Sequence, residues 1–211
     1  MTKFSNVLLI GNGETLPADF LRAQAKRADF VLAADGGADR ALSCGITPDI
    51  VIGDLDSVSS AAKKHLGNDK FIFVDNQNNT DLEKALDYLT KHNCKKCVIC
   101  GFTGGRMDFT LGNFLSVYPY VNKIEICFAS PNWTIYPLAA TRKFACKRGA
   151  RVSLIPLKTC TGVTLKGLKY PLTNARLSWT RAGRSLSNQT TGKYFQITLK
   201  TGYMLVYAEE N

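Results

Sequence analysis

No stretch of this 211-residue chain approaches the roughly 18 consecutive apolar residues that cross a bilayer, which excludes a membrane-spanning helix. The opening MTKFSNVLLIGNG has one lysine and an apolar run of four before Gly11. That is too short for the core of a secretion signal, so the expectation is the first strand of a cytoplasmic protein. Histidine is scarce, with only His65 and His92. Cys94, Cys97 and Cys100 spell C-x-x-C-x-x-C, but no fourth ligand stands at metal spacing, and the seven cysteines sit mostly in apolar surroundings such as KKCVICGF. Reduced, buried thiols without disulfides fit that pattern, in a reducing compartment. Also missing are G-x-x-x-x-G-K-[ST] and G-x-G-x-x-G, so neither a Walker A loop nor a dinucleotide fingerprint is available.

What is present is core material and an uneven charge. With 45% hydrophobic residues the chain can bury one substantial core or two modest ones. Residues 1–138 hold fourteen Lys/Arg against fifteen Asp/Glu, net −1, whereas residues 139–211 hold thirteen against two, net +11. A basic half of that kind suits a polyanion or a solvated face. The apolar pattern changes at the same place. Up to about residue 120, short runs (NVLLIG, FVLAAD, DIVIGD, FIFVD, KCVICGF) alternate with helical patterns (PADFLRAQAKRA, SSAAKKHLG, DLEKALDYLTKH). This is the rhythm of a mostly parallel sheet covered on both faces. Beyond KIEICFAS, the segments ATRKFAC, RVSLIPL, GVTLKGL, RLSWT, YFQITL and YMLVY read as short antiparallel strands. The predicted architecture is an N-terminal α/β domain over residues 1–138, with a mostly parallel sheet between helices, followed by a smaller all-β sandwich over residues 139–211.

In an open parallel sheet, ligands bind beyond the carboxyl ends of the strands. Four clusters fall there: Asp35-Gly36-Gly37, Gly53-Asp54-Leu55-Asp56-Ser57, Asn78-Asn79-Thr80-Asp81 and Gly104-Gly105-Arg106-Met107-Asp108. Parts of them have structural readings. Ser57 suits a cap for the helix that follows, Thr80 with Glu83 a capping box, and Asp81 a first-turn acid; Gly11-Asn12-Gly13 after the first strand reads as a plain turn, with a small opening that admits a nucleotide as the alternative. Such roles do not account for Asp54 and Asp56 together. Carboxylates delivered to one rim repel one another, and Mg²⁺ between them is the most economical relief. In the fourth cluster the glycines admit close backbone approach, Arg106 offers a fork to phosphate oxygens, and Asp108 begins a helix, so the cluster reads as a polyphosphate cradle.

Taken in order, several pieces resemble the thiamine pyrophosphokinase family: Asp35-Gly36-Gly37-Ala38, Gly53-Asp54-Leu55-Asp56-Ser57, Thr80-Asp81-Leu82-Glu83-Lys84-Ala85-Leu86, and Gly104-Gly105-Arg106-Met107-Asp108 with Asn113 beyond. Gly167-Leu168-Lys169-Tyr170-Pro171-Leu172 and Ser187-Asn188 extend the resemblance, which runs from about Leu9 to Tyr207. It implies Mg²⁺-dependent transfer of a diphosphoryl group from ATP to thiamine, releasing AMP. By the same resemblance Asp54, Asp56 and Asp81 hold the metal and, with Lys84, form the catalytic set. The nucleotide contacts it implies come from Asp35, Gly36, Gly37, Ser57, Thr80, Gly104, Gly105, Arg106 and Asp108. The thiamine contacts come from Gln77, Asn113, Ser185, Ser187 and Asn188. Tyr170 or Trp179 would offer an aromatic face to the cationic thiazolium, although a place in the sandwich core is the favoured reading for both. The implied partners are thiamine, ATP and a second copy of the chain, with sites between subunits of a homodimer and no role for nucleic acid or membrane.

Two residues depart from the family pattern: Asn78 stands where Asp is common, and Phe109 where a polar residue is common. Two other readings compete. Asp54-Leu55-Asp56-Ser57-Val58 fits the D-x-D-x-[TV] of haloacid-dehalogenase-like phosphatases, although that motif usually follows the first strand and here follows the third. A nucleic-acid-binding module centred on the basic half leaves the acid clusters unexplained.

Overall fold

The computed structural model describes residues 4–210, with side chains described throughout except at 182–184. The chain divides into two compact units, Met1–Pro131 and Asn132–Asn211. The boundary expected between 138 and 139 lies further along, at the end of a strand that the second unit claims.

The first unit alternates strands and helices: β1 (Asn6–Ile10), α1 (Ala18–Ala25), β2 (Phe30–Ala34), α2 (Gly37–Ser43), β3 (Ile50–Gly53), α3 (Ser60–Leu66), β4 (Phe71–Phe73), α4 (Asp81–Lys91), β5 (Lys96–Cys100), α5 (Met107–Ser116) and β6 (Glu125–Ser130). Its strands lie in the order β6-β5-β1-β2-β3-β4, every neighbouring pair parallel. Alternation sends Leu8, Ile10 and Val31 to one face, where Leu21 of α1 and Ala41 of α2 cover them. On the same face Ala33 and Val51 meet Ala38 of α2 and Ala62 and Leu66 of α3. The intervening Leu9, Leu32 and Ile52 are equally buried, and α4 packs on β2 and β3 with Leu82, Leu86 and Leu89 buried. Helices therefore cover both faces, as the near-continuous apolar runs of the strands require.

The strand order reverses between β1 and β5, the place in a parallel sheet where a crevice opens beyond the carboxyl ends of the strands. Local sequence fixes the neighbouring turns. Gly36 and Gly37 carry the chain from β2 into α2, and a Cβ at Gly37 would sit 2.2 Å from the Ile10 carbonyl oxygen, so only glycine lets α2 close onto β1. The N-cap of α3 is Ser59, whose hydroxyl accepts from the Ala62 N–H at 3.0 Å. This corrects the expectation for Ser57, which stands too far ahead of the helix start to cap it. Thr80 and Glu83 do form the predicted capping box on α4.

The second unit contains β7 (Trp133–Leu138), β8 (Arg142–Ala145), β9 (Arg151–Pro156), β10 (Cys160–Lys166), β11 (Ala175–Leu177), β12 (Asn188–Gln189), β13 (Tyr194–Thr198) and β14 (Met204–Glu209). Its strands form two antiparallel layers, β12-β9-β14-β7 and β11-β10-β13-β8. Val152, Leu154, Met204 and Val206 from the first layer meet Phe144, Val163, Leu165, Phe195 and Ile197 from the second in one core. This is the predicted sandwich. The strand expected over RLSWT stops at Leu177, because the Ser178 hydroxyl accepts from the Thr180 N–H and turns the chain into a 3-10 segment, Trp179–Ser185. The core reading of the two aromatics is also corrected: Tyr170 is 60% and Trp179 65% exposed. Tyr170 stands in the connection between β10 and β11, and Trp179 heads the 3-10 segment, so neither occupies an inward-facing strand position.

Candidate active site

The crevice holds a cavity of about 370 Å³, and its walls include Asp35, Ser57, Thr80, Asp81, Gly104, Gly105, Arg106 and Asn113. They come from the carboxyl ends of β2, β3, β4 and β5 and from the helices that follow, with Asn113 inside α5. Asn12 and Gly13, which read in sequence as a plain turn, also line it.

The acids converge. Asp35, Asp54 and Asp56 each bring a carboxylate oxygen within 4.8 Å of the others. Two residues of this rim hold left-handed backbone without being glycine, Asp35 at φ 46° and Leu55 at φ 61°, a costly conformation that concentrates at functional turns. Asp35 is only 6% exposed, and its Oδ1 has no hydrogen-bond partner. Burial pushes the Asp35 carboxyl above its ordinary pKa; the Ser57 hydroxyl draws it partly back, and the charges of Asp81, Asp56 and Asp54 push it up again. Ser57 donates to Asp56 Oδ1 at 2.9 Å, and the Asp56 N–H leans on Asp54 Oδ1 at 3.4 Å.

Asp81 has another partner. The Lys84 ammonium, buried one turn along α4, donates to Asp81 Oδ1 at 3.0 Å and lies 3.8 Å from Asp54 Oδ2. Burial alone would depress Lys84, but the hydrogen bond and charge of Asp81, with Asp54 and Asp35 beyond, hold its pKa above the ordinary lysine value. The rim thus sets the buried Lys84 ammonium against four carboxylates.

Across the cavity, Gly104 and Gly105 both take positive φ, 76° and 62°, and turn the chain into α5. Arg106 is exposed and forks onto Asp108, with Nη2 2.6 Å from Oδ2 and Nε 3.2 Å from Oδ1. That hydrogen bond raises the Arg106 pKa and lowers that of Asp108. Phe109 lies under the same guanidinium, 4.3 Å from ring centroid to Cζ. The ring at this departure from the family pattern therefore supports Arg106 by a cation–π contact. Asn113 is buried and spends its amide on the Phe102 carbonyl at 2.7 Å, tying α5 to the loop after β5.

The remaining expected residues are placed less directly. Gln77 and Asn78 are exposed in the turn before α4, where the Asn78 N–H donates to Asn76 Oδ1 at 3.0 Å. Ser185, Ser187 and Asn188 belong to the second unit. Ser185 Oγ is buried and donates to the Leu154 carbonyl at 2.6 Å, while the Ser187 N–H donates to Ser153 Oγ at 3.0 Å. Asn188 clamps the Tyr170 backbone, accepting from its N–H at 3.0 Å and donating to its carbonyl at 2.7 Å.

A strand-end crevice with gathered carboxylates and a glycine-rich loop suits a metal–polyphosphate ligand, and the family models agree. Residues 21–128 match "Thiamin pyrophosphokinase, catalytic domain", and residues 142–204 match "Thiamin pyrophosphokinase, vitamin B1 binding domain". The chain belongs to the thiamin pyrophosphokinase family. With membership comes the enzyme class, a thiamine diphosphokinase. Among relatives, thiamine pyrophosphokinase of Bacillus subtilis is 27% identical over 154 residues, 70% of this chain and 72% of that protein. Thiamine pyrophosphokinase 1 of Oryza sativa subsp. japonica is 27% identical over 183 residues, 72% and 69% of the two chains. The fold is that of the solved thiamin pyrophosphokinases from Geobacillus thermodenitrificans (TM-score 0.82, 25% identity, 98% of both chains) and Candida albicans (TM-score 0.86, 21% identity, 98% of this chain and 89% of that one).

Membership removes the competing readings. In this fold Asp54 and Asp56 follow the third strand and share their rim with Asp35 and Lys84, and neither the phosphatase nor the nucleic-acid module finds support. The C-x-x-C-x-x-C reading also yields nothing. None of the seven cysteines forms a disulfide, and among the described residues the three rim acids are the one group of metal-ligating side chains gathered closely enough to hold an ion. No helix among those residues is long and apolar enough to cross a membrane.

Proposed function

We propose that the protein transfers an intact diphosphoryl group from Mg²⁺–ATP to the hydroxyl of thiamine, releasing AMP and thiamine diphosphate. The observation that carries this reading is Asp35, whose Oδ1 is buried without a partner and whose carboxylate comes within 4.8 Å of those of Asp54 and Asp56. A desolvated carboxylate crowded by two others is a poor arrangement for a protein alone and a good one for a hard divalent cation. Asp54, Asp56 and Asp81, with Asp35 beside them, would hold Mg²⁺. When bound, the metal neutralises phosphoryl oxygens and so opens the β-phosphorus to attack.

The chain's own groups do the rest. The backbone at Gly104 and Gly105, with Arg106, cradles the polyphosphate, and Lys84 adds a second cation from the opposite wall. The bond from the β-phosphorus to the oxygen bridging to AMP breaks as the bond to the thiamine oxygen forms, and a rim carboxylate takes the hydroxyl proton. Ser185, Ser187 and Asn188 are assigned to the thiamine side. The exposure of Tyr170 and Trp179 favours an aromatic face for the thiazolium there.

A homodimer with shared sites is part of the same reading. Met107, Leu111 and Leu115, at i, i+4 and i+8 on α5, are 66%, 56% and 57% exposed, an apolar stripe that suits a subunit contact beside the Arg106 loop. Seven cysteines without a disulfide suit a cytoplasmic protein. The test is to incubate the protein with ATP, Mg²⁺ and thiamine and identify the products. AMP with thiamine diphosphate is expected. ADP with thiamine monophosphate, or inorganic phosphate with thiamine untouched, overturns the proposal.

A further inference from the structure

Glu14 lies just beyond the β1 turn, and no motif reading singled it out. Its backbone N–H donates to the Thr103 carbonyl at 2.8 Å, one rung past the bond from the Gly13 N–H to the Gly101 carbonyl at 2.6 Å. The pairing of β1 with β5 is thereby extended into the two loops that border the crevice. The buried Thr103 hydroxyl then donates to Glu14 Oε1 at 2.5 Å, a side-chain link across 89 residues of chain. The stem of Glu14 also backs the glycine-rich loop. A Cβ at Gly104 would lie 2.6 Å from Glu14 Cβ, whereas one at Gly105 would meet nothing within 4 Å.

A carboxylate so close to an anion-binding loop would repel its ligand unless the charge were otherwise engaged. We propose that Glu14 is a positioning residue: through Thr103 it fixes the Gly104–Gly105–Arg106 loop in the geometry that receives the polyphosphate. This rests on the reading of that loop as the phosphate cradle. Glu14 touches no reacting atom. It gives the buried hydroxyl an acceptor, locks Thr103 and presents a fixed wall to Gly104, so the loop is ordered before nucleotide arrives.

The test compares Glu14→Ala, Glu14→Gln, Thr103→Val, Thr103→Ser and the Glu14→Ala/Thr103→Val double variant. Mg²⁺–ATP binding is followed by calorimetry, and both KM values by steady-state kinetics. Loss of the link should weaken ATP binding and raise KM for ATP about tenfold in Glu14→Ala and in Thr103→Val, the scale of one hydrogen bond to a charged group. KM for thiamine should stay within about twofold of wild type. Glu14→Gln and Thr103→Ser keep an acceptor and a donor and should restore near-normal binding. The double variant should bind no more weakly than either single one, because both remove the same link. Wild-type ATP affinity in Glu14→Ala, equal losses for ATP and thiamine, or a Glu14→Gln as weak as Glu14→Ala would overturn the proposal. If Glu14→Ala melts early, the near-isosteric Thr103→Val decides by the same criteria. A wild-type protein that does not bind Mg²⁺–ATP would overturn the cradle reading and the role of Glu14 with it. Wild-type binding with unaffected variants would overturn only the latter.

Discussion

Asp35 concentrates the conflict at the rim in a single side chain. Its backbone is left-handed, its Oδ1 is buried without a partner, and burial followed by three like charges lifts its pKa. A carboxyl whose pKa is higher folded than unfolded opposes folding once it ionises. Its unfavourable contribution is absent below the unfolded value, grows as pH rises from there, and is fully present above the folded one. Without Mg²⁺, Asp35→Asn should therefore melt at a higher temperature than wild type at pH 7, and the difference should close below about pH 4. Adding Mg²⁺ should raise the melting temperature of wild type and do less for the variant, and scanning fluorimetry across pH and metal reads both effects. An equal Mg²⁺ response in the two proteins would separate Asp35 from the metal. Asp54→Asn and Asp56→Asn should each lower turnover at least about a hundredfold, the scale of losing one preorganised electrostatic contact in a transition state, with the fold intact by circular dichroism.

At the scale of elements, helix ends and strand periods decide which residues reach the cavity. Thr80 caps α4 and Asp81 is its first residue, so one hydroxyl both ends the loop and aims the acid. Thr80→Ala should cost about 1 kcal/mol in urea unfolding, a usual value for a lost cap, and should also lower turnover by freeing Asp81. On β5 the cysteines recur every third position along a strand whose faces alternate every second, so Cys97 and Cys100 point to opposite sides of the sheet. Burial pushes the Cys94 thiol up to about 11 and raises Cys97 and Cys100 as well. At pH 8 all three should resist iodoacetamide in the folded protein and react fully in denaturant, with the sites mapped by mass spectrometry. Rapid labelling of any of them would contradict their burial.

At the scale of the whole molecule, the proposed dimer is testable by complementation. Asp54→Asn disables the metal side and a Ser187→Ala/Asn188→Ala variant the thiamine side, so each homodimer should be nearly inactive. If the two are unfolded together and reassembled, about half the dimers are mixed, and each mixed dimer has one site with both defects and one with neither. Roughly a quarter of wild-type activity should then return, by two-fold symmetry. Proven subunit exchange with no recovered activity would show that each site is built within one chain. The charge split, −1 against +11 between residues 1–138 and 139–211, suits an acidic rim facing a basic partner surface, so assembly should weaken as salt is raised.

The sequence by itself determined the layers and most of the rim. Strand and helix periods follow from which side chains must leave water, so the alternation up to residue 120 and the β-rich remainder were legible before any contact was known. Asp54 and Asp56 were legible for a similar reason, since local turn chemistry has no use for two acids one residue apart. The same reasoning misjudged Ser57, because a cap depends on where the first helical turn closes, two residues later at Ser59. It also misjudged Tyr170 and Trp179, whose exposure depends on which connections cover the sandwich. Tertiary structure alone decided that Lys84 reaches Asp54 as well as Asp81, and that Glu14 meets Thr103. These partners are far apart in sequence or are set by the crossing of separate strands. Local pattern carries the free energy of burial along one element, while the distance between two side chains on different elements is fixed only when the strand order and the loops close together.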